Sequence, residues 1–143
     1  MASLLTTPLN AAHAAAGAKL VDFAGWSMPL HYGSQLDEHN TVRQSAGRFD
    51  VSHMTVVDVA GPEAVGYLKR LFAGDVSTMA PGVALYTVML TDEGGVIDDL
   101  IVYRLGNGFR VVVNAGTRQK DLAWMQKQVA DFEVAVDERA DLG

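Results

Sequence analysis

Apolar and polar positions follow two different patterns along this chain. Up to residue 53 the apolar residues come in short groups interrupted by glycine and proline. From residue 54 they fall into regular strand and helix periods. In the first stretch, the alanine-rich run 9–16 follows Pro8 and stops at Gly17, which predicts a short helix. Residues 19–23 read as a brief strand. Residues 24–33 hold Gly25, Pro29 and Gly33 together with Trp26 and Tyr32, which predicts a loop anchored by its two aromatics. Ser34 is placed to cap a helix to about residue 46, with Asp37 and Glu38 in the first turn, where the helix dipole favours anions.

The second stretch opens with the β-branched run 54–60, broken by Gly61 and Pro62. Pro62 then opens a helix over 63–73 whose Val65, Leu68 and Leu71 or Phe72 share one face. Strands follow over 84–91 and 96–105, joined by a turn at 92–95. Asn107 and Gly108 are a hairpin signal leading into a strand over 109–114. Thr117 is placed to cap a helix to about residue 130 that buries Leu122, Met125 and Val129, and residues 132–136 alternate as a last strand. Strand, helix, three strands, helix, strand predicts an α+β fold: a ferredoxin-like antiparallel sheet with one extra strand and its helices on one face. Residues 1–53 lack the strands for a core of their own, so they read as an incomplete unit whose partners lie beyond residue 143.

Composition narrows the functional classes. With 17 acidic against 11 basic side chains, the net charge of -6 gives no basic patch for nucleic acid or an anionic membrane. No apolar run reaches the ~20 residues needed to span a bilayer. No cysteine is present, which removes disulfides and thiolate chemistry. The four histidines show no metal-ligand spacing, so no metal is expected. Neither a phosphate loop nor a nucleophile elbow occurs, since Gly94 and Gly95 lie between strands. A cytoplasmic protein is expected.

The candidate chemistry centres on Asp98 and Asp99 in the middle of an apolar strand. Alternation sends Asp98 to one face with Leu100 and Val102, and Asp99 to the other with Ile101 and Tyr103. Carboxylates are poor strand formers and costly to bury unpaired, so two in mid-strand break a local rule. Such breaks concentrate at functional sites, although a structural ion pair explains a single aspartate about as well. Asp99 is the stronger candidate. It shares a face with Tyr103, and Tyr86 on the preceding strand can join them. A carboxylate between two aromatics suits a flat, hydrogen-bonding heterocycle. Asn114, His53 and Met54 read more simply as a turn residue, a structural hydrogen-bonder and core.

Five segments, 21–39, 48–54 (RFDVSHM), 84–90 (ALYTVML), 94–104 (GGVIDDLIVYR) and 112–124 (VVVNAGTRQKDLAW), occur in order and resemble the aminomethyltransferase (T-protein) family of the glycine cleavage system. The resemblance implies three domains in a chain more than twice this length. Residues 1–53 would be the first portion of domain 1, 54–138 the ferredoxin-like domain 2, and 139–143 the start of the return to domain 1. It implies transfer of an aminomethyl unit from the lipoyl arm of H-protein to tetrahydrofolate, giving 5,10-methylenetetrahydrofolate and ammonia. Asp99 matches the family's catalytic acid, orienting the pterin and favouring attack by the folate N10. Met54, Tyr86, Asp98, Tyr103 and Asn114 match positions of the folate pocket. The chain alone is expected to be inactive, and exposed apolar surface would favour self-association. Two alternatives share the fold: a non-catalytic folate-binding module, and a folate-dependent demethylase of small methylated amines.

Overall fold

A computed structural model describes residues 3–142, and the chain divides between His53 and Met54 into two units. The first holds β1 (Leu5–Thr6), α1 (Asn10–Ala15), β2 (Lys19–Phe23), β3 (Trp26–His31) and α2 (Gln35–Gln44). Its sheet has the order β1-β3-β2, with β1 parallel and β2 antiparallel to β3. The loop expected over 24–33 is therefore mostly strand. Ala24 and Gly25 both adopt positive φ (51° and 84°), the geometry that turns a hairpin in two residues. The Gly25 N–H is fixed by Asp22 Oδ1 at 2.9 Å. Pro29 is tolerated because β1 pairs only with Trp26 and Ser27 and asks nothing of its missing N–H. Ser34 caps α2 as its sequence predicts, its hydroxyl accepting from the Asp37 N–H at 3.2 Å.

A polar chain ties this unit together. Asp50 Oδ2 accepts from the Thr7 hydroxyl (2.7 Å) and meets His13 Nε2 (2.8 Å), while His13 Nδ1 meets the Tyr32 hydroxyl (2.5 Å). These partners assign the tautomer: Nε2–H donates to Asp50 and Nδ1 accepts from Tyr32. Burial alone would raise the Asp50 carboxyl, but hydrogen bonds from His13, Thr7 and Ser52 outweigh it and hold the acid well below its usual range. The His53 ring lies edge-on to Phe23 and Trp26, and burial lowers its pKa against the pull of Asp50. His53 is thus a packed structural ring.

The second unit, Met54–Leu142, contains β4 (Thr55–Ala60), α3 (Ala64–Leu71), β5 (Ala84–Leu90), β6 (Val96–Arg104), β7 (Phe109–Val113), α4 (Arg118–Gln128) and β8 (Ala135–Glu138). The sheet runs β5-β6-β7-β4-β8 with every pairing antiparallel. This is the α+β arrangement read from the sequence, with the extra strand, β5, at the edge of the sheet. Val57, Val59, Leu100, Val102, Val111 and Val113 form the core face, against Tyr67, Leu68 and Leu71 of α3 and Met125 of α4. Both helices lie on that face. They are joined by a buried bond in which the Tyr67 hydroxyl donates to the Met125 carbonyl at 2.8 Å.

Several boundaries differ from the sequence reading. Helix α3 starts at Ala64 rather than 63, because Gly61 (φ 135°) turns the chain and its carbonyl accepts the Ala64 N–H at 3.2 Å. No side chain could replace this glycine freely, since a Cβ would fall 2.5 Å from the Glu133 carbonyl oxygen. The β6–β7 hairpin forms, but neither Asn107 nor Gly108 has positive φ. Gly108 is needed instead for close approach, its notional Cβ meeting the Val59 oxygen at 2.6 Å. The last strand lies at Ala135–Glu138, displaced from 132–136 because Phe132 turns inward to pack edge-on against Tyr67 at 5.7 Å. Among the described residues no helix is long and apolar enough to cross a membrane.

Candidate active site

Strand β6 carries the site, and alternation decides what each acid does. Asp98, Leu100 and Val102 turn towards the helices and are buried, whereas Asp99 and Tyr103 turn to the opposite face and are exposed. That opposite face carries no helix of this unit. Across it lie Tyr86 and Val88 of β5, Ile101 of β6 and Val112 of β7, all half-buried except the exposed Tyr86. The result is an apolar floor with a carboxylate at one end.

Asp99 is held in place from two sides. Its Oδ2 accepts from the Tyr86 hydroxyl at 2.6 Å, a reach made possible because Tyr86 pairs with Ile101, diagonal to Asp99. The bond to the Asp99 carboxylate, then its charge, raises the Tyr86 phenol pKa, so this hydroxyl keeps its proton and stays a donor. On the other side Asn114 Nδ2 contacts Asp99 O (3.0 Å) and Asp99 Oδ1 (3.3 Å). The same amide donates to Asp98 Oδ1 at 3.1 Å, and the Asn114 backbone N–H donates to Asp98 Oδ2 at 3.1 Å. Asn114 therefore bridges the two acids around the end of β7. Burial would raise the Asp98 carboxyl, but these bonds win and lower its pKa.

The structure thus brings Asp99, Tyr86, Asn114 and Asp98 together. Asp98, expected among the ligand-binding residues, is 7% exposed, faces the helices, and accepts from Asn114 at both oxygens. Tyr103 stands on the same face as Asp99 but four residues along the strand, roughly 13 Å away at ~3.3 Å per residue. The two tyrosines therefore do not bracket the acid; they line the floor to one side of it. Met54 is half-buried and directly precedes β4, whose Thr55 pairs with Val113, so it sits at the Asn114 end of the sheet. Among the described residues no group of three metal-ligating side chains is gathered.

One member was missed from the sequence. Asp121 of α4 is fully buried, at 0% exposure, on the face expected to carry Leu122, Met125 and Val129. Leu122 and Val129 are only half-buried. The available signal was spacing, since Asp121 is one helical turn before the buried Met125.

Comparison with known proteins gives the class to which this antiparallel sheet with its clamped carboxylate belongs. Residues 9–141 match the family described as the GCVT N-terminal domain, and the chain belongs to that family. It is 61% identical over 137 residues to an aminomethyltransferase of Chromobacterium violaceum, and 60% identical over 136 residues to one of Alcanivorax borkumensis. Each match covers 95% of this chain and 38% of the relative. A Bordetella petrii aminomethyltransferase matches 99% of the chain at 58% identity, with 40% of the relative covered. The crystal structure of glycine cleavage system aminomethyltransferase T from Bartonella henselae superposes with a TM-score of 0.87 at 39% identity, over 96% of this chain and 39% of that one. The chain spans about 38% of the length of the curated relatives it matches.

Proposed function

We propose that this chain carries the catalytic carboxylate of an aminomethyltransferase of the glycine cleavage system, which moves an aminomethyl unit from lipoylated H-protein to tetrahydrofolate. The observation that carries this reading is Asp99, fixed by Tyr86 and Asn114 at the edge of an apolar, aromatic-lined floor. The residues present fit a folate: Tyr86 and Tyr103 offer exposed rings, and the carboxylate retains acceptor capacity for ring N–H groups. Tetrahydrofolate supplies the nucleophilic nitrogen that takes the one-carbon unit. Asp99 supplies a preorganised negative charge that favours positive charge developing on the transferred carbon, with no reorganisation needed at the moment of reaction. Tyr86 and Asn114 hold its two oxygens. Residues 1–53 correspond, in this proposal, to the opening of the family's first domain, and 54–138 to its second.

The test is transfer of a labelled one-carbon unit from lipoylated H-protein to tetrahydrofolate by the full-length enzyme bearing this chain. Asp99→Ala is expected to lower turnover by about 10²–10³-fold, with an unchanged circular dichroism spectrum because the side chain is exposed. Turnover within a factor of ~2 of the parent would remove Asp99 from catalysis. Use of sarcosine in place of H-protein as the donor would reassign the chain to the demethylases.

A further inference from the structure

Beneath the site lies a second acid that the transfer chemistry does not call for. We propose that Asp121 is a positioning residue, a buried acid that keeps its proton and donates it to Asp98, fixing Asn114 and, through Asn114, the Asp99 carboxylate. The inference deepens the proposed function and rests on it only for the last link.

The argument begins with donors. Asp121 is 0% exposed, and neither of its oxygens receives a hydrogen bond from an N–H or O–H group. A carboxylate so placed would be charged, dry and unsatisfied, which folded proteins avoid by protonation. The groups around it offer two recipients for such a proton, the Asp98 carboxylate and the Thr117 hydroxyl oxygen, and a charged acceptor makes the stronger bond. Asp98 of β6 is within hydrogen-bonding reach of Asp121 and already accepts two bonds from Asn114, as an ionised carboxylate should. Lys120 carries the nearest positive charge, but its Nζ donates to the Ile97 carbonyl at 2.6 Å. The Thr117 hydroxyl lies beside both carboxyls and has the Asn114 carbonyl as its acceptor at 3.1 Å. One proton shared between the two buried carboxyls removes one of two adjacent buried charges and gives Asp121 a hydrogen-bond partner. Burial first, then the Asp98 contact and its charge, push Asp121 up to about 7, while the bonds to Asp98 lower that partner. The pair titrates as a unit.

The pair acts on Asp99 through geometry. With Asp121 protonated, Asp98 presents both oxygens to the Asn114 backbone and amide, and the amide can then face Asp99. With Asp121 ionised, two adjacent buried anions repel and the Asp98–Asn114 bonds are where the strain is relieved. The folded state therefore binds an extra proton between pH 3.8 and about 7. Stability declines as pH rises through that window, the sign expected for an acid whose folded pKa is raised.

The experiment compares Asp121→Asn and Asp121→Leu in the full-length enzyme. Infrared difference spectra of the parent should show a protonated carboxyl that disappears as pH rises through about 7. Asp121→Asn, neutral and still able to donate to Asp98, should abolish that signal, flatten the decline of melting temperature with pH, and keep transfer within about threefold of the parent. Asp121→Leu should abolish the signal and lower transfer by about 10–100-fold. An unchanged infrared titration in Asp121→Asn, or equal damage from both variants, would overturn the proposal. The infrared signal does not depend on transfer, so an enzyme with no aminomethyltransferase activity would sink the functional reading while leaving this one to be judged on its own.

Discussion

Replacing Asn114 with alanine isolates the bridge between the two acids. The substitution removes the amide contacts to Asp98 Oδ1, Asp99 O and Asp99 Oδ1 and spares the backbone N–H bond to Asp98 Oδ2. The energetic consequence falls on Asp98, which is buried and loses one of two charge-assisted donors from Asn114. A hydrogen bond to a charged, buried group is worth ~1.5–3 kcal/mol, and the exposed contacts to Asp99 add little. Taking ~2 kcal/mol and about 3 °C per kcal/mol for a chain of this size gives a fall in melting temperature of roughly 6 °C at neutral pH. The depressed Asp98 pKa sets the pH dependence. Stability from a lowered acid is present above its ordinary value and lost as pH falls through the folded one, so the difference between parent and variant should shrink in acid. Scanning calorimetry at pH 7 and in acid measures both effects. The decisive control is the same substitution in an Asp98→Asn background, where the loss should fall to half or less. An equal loss in both backgrounds would show that the Asp98 contact is not its source.

Two further outcomes follow from the second unit's core. Tyr67→Phe deletes the buried bond to the Met125 carbonyl while keeping the ring's packing on Phe132, and should cost about 1 kcal/mol, read as the shift in urea midpoint at unchanged slope. A midpoint equal to the parent's would mean that the hydroxyl contributes nothing to joining the helices. Gly61→Ala should cost ~2 kcal/mol or more, because its φ of 135° disfavours a side chain and the new Cβ would press on the Glu133 carbonyl. A melting temperature unchanged by that substitution would contradict the close approach of the α3 start to residues 133–134.

Much of the second unit was legible in the sequence because its signals are local and periodic. The β-branched runs, the alternation along 96–105 and the apolar face of 63–73 each depend on neighbours a few residues apart. The opposite orientation of Asp98 and Asp99 was legible for the same reason. What alternation cannot give is which face receives the helices. Asp98 was therefore placed among the ligand-binding residues, whereas the structure buries it on the helix side. Tyr103 shares a face with Asp99 as alternation predicts, and pairing places Tyr86 opposite Ile101, nearer the acid, with Tyr103 further along the strand. The hairpin at Ala24 and Gly25 was missed because a left-handed alanine carries no sequence signal of its own. Asp121 was missed because a charged residue in the first turns of a helix is ordinarily solvated, and only tertiary packing buries it.

The two neighbouring acids on β6 also make the turn at 105–108 a chemical component. Arg104 pairs with Phe109 across it, so the number of residues in the turn sets which strand positions meet on β7. Because side chains alternate with a period of two, a slip of one position would exchange the two aspartates, putting Asp99 into the hydrocarbon interior and Asp98 into water. Loop length here is therefore coupled to function as tightly as any side chain, and the short connection acts as a phase setting for the reactive group.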